Sequence, residues 1–349
     1  MRWALQAGPF AGGAIPAVNR VDAPCPAAPG GARDPAAIPV VRGDDISSAS
    51  RGSRVAPQTG VGRVRARRSA PALIALLALL SVPRTAAPQA LPSELTVFGI
   101  NVLIGGTTSG LAALVTDRPV LPAVGKGLAG GSVVYLGKRL SNAGGFPMSG
   151  LVGRMVASTG TSFVRNGAAG RGLFDFMVFP FGPITIYKRP AGDRSHAPIK
   201  LHLARTAVLA ALILRDDIRI DWESTLQSGA PVFDMTEGSF HGGHNWVAAG
   251  TTLCGSVVLS DLTMLPHVDP TRLLTHERIH VIQDDFADFA WTGPLEYRLL
   301  GHFPGGKWLR RYVDVGLLHV GVVGVAHIVI PYEQRPWEIE AEHFEHLAP

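Results

Sequence analysis

The spacing of apolar positions changes character along the chain. Between about residues 95 and 170 they form near-continuous runs broken by glycine: Phe98 to Gly106, Gly125 to Leu140 and Met148 to Asn166. Small residues such as Gly127, Gly130 and Gly131 let helices approach closely. Lys126, Lys138, Arg139, Arg154 and Arg165 interrupt the later runs, leaving no clean membrane-spanning stretch after Gly106. This region predicts packed apolar helices or a membrane-touching surface in preference to a transmembrane hairpin. Residues 172–262 look β-rich. Phe174 to Lys188 is aromatic and β-branched with a Gly182-Pro183 break, the pattern of a bent strand or hairpin. Ile199 to Leu214 fits a long strand or a buried helix, Ile218 to Trp222 alternates, and Ser256 to Leu259 reads as a strand. An edge strand at that last position would be able to hold an extended peptide by backbone pairing.

The next stretch, Leu273 to Gln283, reads H-E-x-x-H through His276, Glu277 and His280. Residues four apart on a helix stand one turn above each other. His276 and His280 therefore aim two imidazoles at one point, the alternative being a structural histidine pair. Zinc takes imidazole nitrogen at about 2.0–2.1 Å and leaves room for a third protein ligand and a water. Glu277 stands beside that face, placed as general base for a water whose pKa the metal lowers from about 15.7 to about 7. Asp269 is the expected N-cap and Pro270 the first helical residue. The helix should stop near Trp291 to Pro294.

Composition narrows the picture. The chain has 349 residues, enough for one large domain or two smaller ones, and 46% hydrophobic content with 17% charged residues fits a large core. The net charge of +5 leans on arginines in the first 70 residues. No later Lys/Arg patch interleaves with aromatics, so no nucleic-acid partner is expected. Cys25 and Cys254 make no C-x-x-C pair, and cysteine is excluded from the metal site. Gly105-Gly106 and Gly130-Gly131 are not phosphate loops. Residues 1–60, rich in Ala, Pro, Gly and Arg, read as a disordered or mis-annotated N-terminal extension. Residues 61–90 join a basic stretch, Arg63 to Arg68, to an apolar run, Pro71 to Val82, and small residues at Thr85 to Ala90. That is the form of a signal peptide, with translation expected to start near Val61 or Val64, over a short membrane anchor as the alternative. An exported protein follows, in periplasm, envelope or medium, with membrane association also expected.

Three further stretches bear on chemistry. His241 and His244, separated by glycines, predict an exposed loop, with a cleft-lining or second metal role as the alternative. Val313 to Ile330 is apolar and predicts a buried helix or strand. Tyr312, His319, His327 and Tyr332 are candidates to hold a developing oxyanion. The tail from Pro331 to Phe344 predicts a helix beginning at Pro336, with Glu338 and Glu342 four apart on one face. A glutamate from it can complete a His/His/Glu site.

H-E-x-x-H followed by a helix reading E-x-x-A-[DE] resembles the gluzincin metallopeptidases, and the tail is similar to that of the CAAX prenyl protease family. The resemblance covers about residues 270–345. It implies Glu338 as the third metal ligand, Ala341 as the small residue and Glu342 as the carboxylate supporting the ligands, a Glu where that family has Asp. Glu340 is the reserve ligand. The metzincin pattern is absent, since Phe286 stands where its glycine would. The expected protein is α+β: Gly-rich apolar helices over 91–170, then a β-rich and zincin-like metallopeptidase region over 171–349 with an active-site helix. Its expected activity is zinc-dependent hydrolysis of a peptide or protein substrate. The alternative is a non-catalytic envelope structural or binding protein with a vestigial or structural metal site.

Overall fold

The computed structural model describes residues 91–348 apart from 144–146, 191, 194–195, 238–239 and 243–245. The expected N-terminal extension, the signal peptide and His244 lie outside the described residues. The fold is α+β, helices and small mixed sheets together.

Three helices come first: α1 (Glu94–Val115), α2 (Val120–Ser141) and α3 (Ser149–Ala168). Ser93 caps α1, its hydroxyl accepting the Thr96 amide at 3.2 Å. Glycine lets the three approach backbone to backbone. A Cβ on Gly131 would stand 2.2 Å from the Asn101 carbonyl oxygen, and one on Gly153 would stand 2.4 Å from the Ser141 amide. Only a residue without Cβ fits such contacts, the close packing seen where small residues face each other. By length and composition both α1 and α2 could cross a membrane.

The strands follow. β1 (Met177–Phe181) and β2 (Ile184–Lys188) form the expected hairpin, turning at Gly182 with φ +54°. Ile199 to Leu214 is neither strand nor helix alone: β3 (Ile199–His202) passes directly into α4 (Leu203–Ile213). Then come β4 (Ile218–Ile220), α5 (Trp222–Ser228), β5 (Val232–Met235), β6 (Phe240–Gly242), β7 (Trp246–Ala248), β8 (Gly250–Leu253) and β9 (Ser256–Leu259). β6 and β7 pair antiparallel, so His241 lies on a strand and not in the expected loop. The second sheet runs β4-β5-β9-β8. β9 is therefore interior and wholly buried, and the expected edge strand is instead its neighbour β8. β8 and β9 join through Cys254 and Gly255, both at positive φ, the two-residue turn that suits twisted strands.

α6 (Pro270–Ala287) carries the H-E-x-x-H residues. Asp269 caps it, its carboxylate accepting the Thr271 amide at 2.9 Å. The helix does not stop at Gly293-Pro294 as expected. A π-helical turn, Asp288–Thr292, leads into α7 (Gly293–Leu300), where Pro294 needs no hydrogen-bond donor in a first turn. α8 (Gly306–Tyr312), β10 (Val313–Asp314), α9 (Leu317–Val329) and α10 (Pro336–His346) complete the chain. β10 pairs parallel with β3, closing a first sheet of order β1-β2-β3-β10. α9 is a helix, but not the buried one expected: only His319 is buried on it.

α6 lies where the layers meet. Ile279 packs with Val97 of α1, Tyr135 of α2 and Ala341 and Phe344 of α10. Val281 joins Val232, Val257 and Leu259 of the second sheet, and Ile282 joins Val134 and Ala157 of α2 and α3. Each such aliphatic side chain contributes about 1.5–3 kcal/mol by leaving water. The helix is thus held on three sides, and its fourth side can present chemistry.

Candidate metal centre

His276 and His280 project from successive turns of α6, and Glu338 comes from the first turn of α10 packed against it. His280 Nε2 is 3.0 Å from His276 Nε2 and 3.1 Å from Glu338 Oε2, and His276 Nε2 is 3.4 Å from the same oxygen. Four ligands around an ion at about 2.0–2.1 Å stand about 3.3 Å apart in a tetrahedron, so the three atoms have the spacing of one face.

The far side of each ring fixes its tautomer. His276 Nδ1 lies 3.1 Å from Glu345 Oε2, which can only accept, so Nδ1 donates. His280 Nδ1 donates to Gln283 Oε1 at 2.8 Å. The Gln283 amide is oriented by its own donations, to the Glu340 carboxylate at 2.7 Å and the Trp337 carbonyl at 3.1 Å. Both imidazoles in their neutral form then present bare Nε2 lone pairs toward a carboxylate oxygen. Three such atoms can hold a cation at their centre, or a proton shared between the imidazoles and the carboxylate. The titration behaviour points the same way. Burial pulls the His276 pKa down, but hydrogen bonds to Glu338 and Glu345 outweigh it and raise it to about 10. Burial likewise opposes, and Glu338 overcomes, at His280, which is also raised. Glu338 is pushed up by burial and pulled further down by the two histidines, to well below the usual carboxylate range. A divalent cation could take the place of the protons these shifts call for. The N/N/O donor set fits zinc.

Glu277 is buried beside the ligands, and its charge is felt at both imidazoles. Thr252 of β8 donates its hydroxyl to Glu277 Oε2 at 2.7 Å. Gly250, on the same strand, leaves the space Glu277 occupies: a Cβ there would stand 2.9 Å from Oε1. The edge strand β8 thus positions the carboxylate.

The tail helix sorts its glutamates differently from the expectation. Glu340, the reserve ligand, is bound to Lys138 Nζ at 2.7 Å and Asn101 Nδ2 at 2.6 Å, and so anchors α1 and α2 behind the site. Glu342 makes no hydrogen bond to the ligands among the described residues. Glu345, two turns on from Glu338, is the carboxylate hydrogen-bonded to His276. Of the four oxyanion candidates, Tyr332 hydrogen-bonds Glu338, and burial followed by that negative charge holds its hydroxyl protonated. His327 stacks on Trp337, next to Glu338, at 5.7 Å. His319 is tied to Asp284 at 2.8 Å and Tyr312 packs on Trp308, so neither is free to join the site. Sequence reasoning missed Glu345, Thr252, Lys138 and Asn101. Only His280 to Gln283, a histidine and a glutamine one helical turn apart, carried a readable signal.

No family model, curated protein or solved structure matches this chain.

Proposed function

We propose that this chain is an exported zinc-dependent metallopeptidase with a zincin-like C-terminal part, hydrolysing peptide bonds of a peptide or protein substrate. One observation carries the proposal: two imidazole lone pairs and one carboxylate oxygen, each oriented from behind, face one another 3.0–3.4 Å apart. His276, His280 and Glu338 would hold the metal. Zinc bound there supplies Lewis acidity and water acidic enough to react near neutral pH. Glu277, steered by Thr252, takes the proton of the attacking water and returns it to the leaving amine. Tyr332, kept protonated, is hydrogen-bonded to Glu338 and so steadies that carboxylate. Glu345 and Gln283 hold the imidazoles in place throughout.

The alternative, an envelope binding protein with a structural metal, calls for a closed four-ligand site. Among the described residues, three donors form the group and no fourth joins it, which favours the catalytic reading. Glu277→Gln is the deciding variant. It should keep one zinc per chain and lower hydrolysis of a mixed fluorogenic peptide library by about 10²–10⁴-fold. Undiminished hydrolysis in that variant, or none in the zinc-loaded parent, would sink the peptidase assignment.

A further inference from the structure

In the sheet β1-β2-β3-β10 the two middle strands are turned inside out. Along β2 and β3 the buried positions are Thr185, Tyr187, Lys200 and His202, and the exposed ones are Ile184, Ile186, Ile199 and Leu201. An antiparallel sheet with one wet face normally does the reverse. The register shows that the apolar residues form one patch. Ile184 stands opposite Leu201, Ile186 opposite Ile199, and Phe181 and Phe179 of β1 continue the two rows. Val313 of β10 closes the first row beside Leu201. The four aliphatic side chains are 42, 41, 58 and 44% exposed for Ile184, Ile186, Ile199 and Leu201. The inner face has reason to be polar: Lys200 reaches Asp314 at 2.9 Å, and Tyr187 donates to the same carboxylate at 2.6 Å. Nothing within the described chain covers the outer face.

The border of this sheet says what does. α8 packs on β3 and runs straight into β10. It reads Gly-Lys-Trp-Leu-Arg-Arg-Tyr, with Trp308 and Tyr312 exposed among Lys307, Arg310 and Arg311. Lys188, also exposed, ends β2. Amphipathic aromatic rings beside cations are the chemistry of the headgroup layer, and clustered Lys/Arg favours anionic lipid. A second copy of the chain would bring this basic rim near its own equal.

We propose that the outer face of this sheet, rimmed by α8, docks on an anionic lipid bilayer, with Ile184, Ile186, Ile199 and Leu201 entering the interface and Lys307 and Arg311 meeting headgroups. This goes beyond the metal site and does not depend on it. It also assigns the contact to a sheet face, away from the Gly-rich helices in which membrane contact was expected.

The test uses the full chain with Cys25→Ser and Cys254→Ser and one added cysteine labelled with an environment-sensitive nitrobenzoxadiazole dye. One version carries Ile199→Cys, and a control carries Leu226→Cys on the exposed side of α5. Vesicles of phosphatidylcholine with phosphatidylglycerol are added. The expected result is a blue shift at position 199 that spin-labelled lipid quenches, with no change at 226. The double variant Lys307→Glu/Arg311→Glu, whose substitutions lie on the surface, should weaken vesicle binding at least about tenfold, and high salt should do likewise. The proposal is overturned if vesicles are not bound. It is equally overturned if they are bound while the label at 199 stays unchanged or both labels shift alike. A shift at 199 that grows with protein concentration without vesicles would assign the face to a second copy.

Discussion

Glu345 and Gln283 orient the two imidazoles of the candidate site, so the quality of any metal site there is set partly by residues outside the donor set. Removing the Glu345 carboxylate frees the His276 ring to turn and leaves its Nδ1 without an acceptor. Glu345→Ala should therefore weaken zinc about 10–100-fold, read by chelator competition, with the helical signal retained. An unchanged affinity would mean the ring is oriented by packing alone. At this scale the sequence was half legible. Two histidines four apart need only helical geometry to meet, and Glu277 follows from its place beside the first. The tail carries Glu333, Glu338, Glu340, Glu342 and Glu345, and nothing local says how α10 is rotated against α6. The family resemblance pointed to Glu338, which stands 3.1 and 3.4 Å from the two Nε2 atoms. It put the supporting carboxylate at Glu342, whereas the carboxylate hydrogen-bonded to His276 is that of Glu345; which of the two meets α6 depends on how α10 is rotated against it.

Elements impose their own tests. Gly131 brings α1 and α2 to backbone contact, and Asn101, whose carbonyl it meets, also holds Glu340 behind the site. Gly131→Ala must push the helices apart, and a loss of roughly 3 kcal/mol or more is expected in denaturant unfolding, at the upper end for overpacking. A loss under about 1 kcal/mol would show that the helices give way easily. α9 is fastened by His319 to Asp284 of α6, and this pair titrates. Burial lowers the His319 pKa, but Asp284 raises it overall; burial raises Asp284, but His319 lowers it overall. The raised histidine contributes fully below about pH 6.5 and loses its effect as pH climbs through its folded value. The lowered aspartate contributes fully above about pH 3.9 and loses its effect as pH falls through its folded value. Asp284→Asn should then cost about 3 kcal/mol near pH 5–6 and distinctly less at pH 9, measured by thermal unfolding of the zinc-loaded protein. A pH-independent cost would assign the pair a packing role only. Strand identity was readable from periodicity, but strand order was not: Ser256 to Leu259 alternates no more than a buried strand does, and only pairing reveals that β8 takes the edge. The exposed α9 defeated the rule that apolar runs are buried, as did the outward isoleucines of β2 and β3, and both are apolar surfaces left uncovered by the described residues.

Across the whole molecule, α6 is the common wall of the glycine-packed helices, the second sheet and α10, so folding and site assembly are one event. The Lys138–Glu340–Gln283–His280 chain of contacts carries that union to the ligands themselves. The proposed hydrolytic chemistry and substrate class rest on the site being a metal centre, whereas the proposed export rests on residues 61–90. The most direct measurement is the metal content of the purified full chain by mass spectrometry, beside Glu338→Ala with its fold checked by circular dichroism. The account predicts one zinc per chain in the parent and a large loss in the variant. A parent that takes up no zinc, or a variant that keeps its full complement, would contradict it.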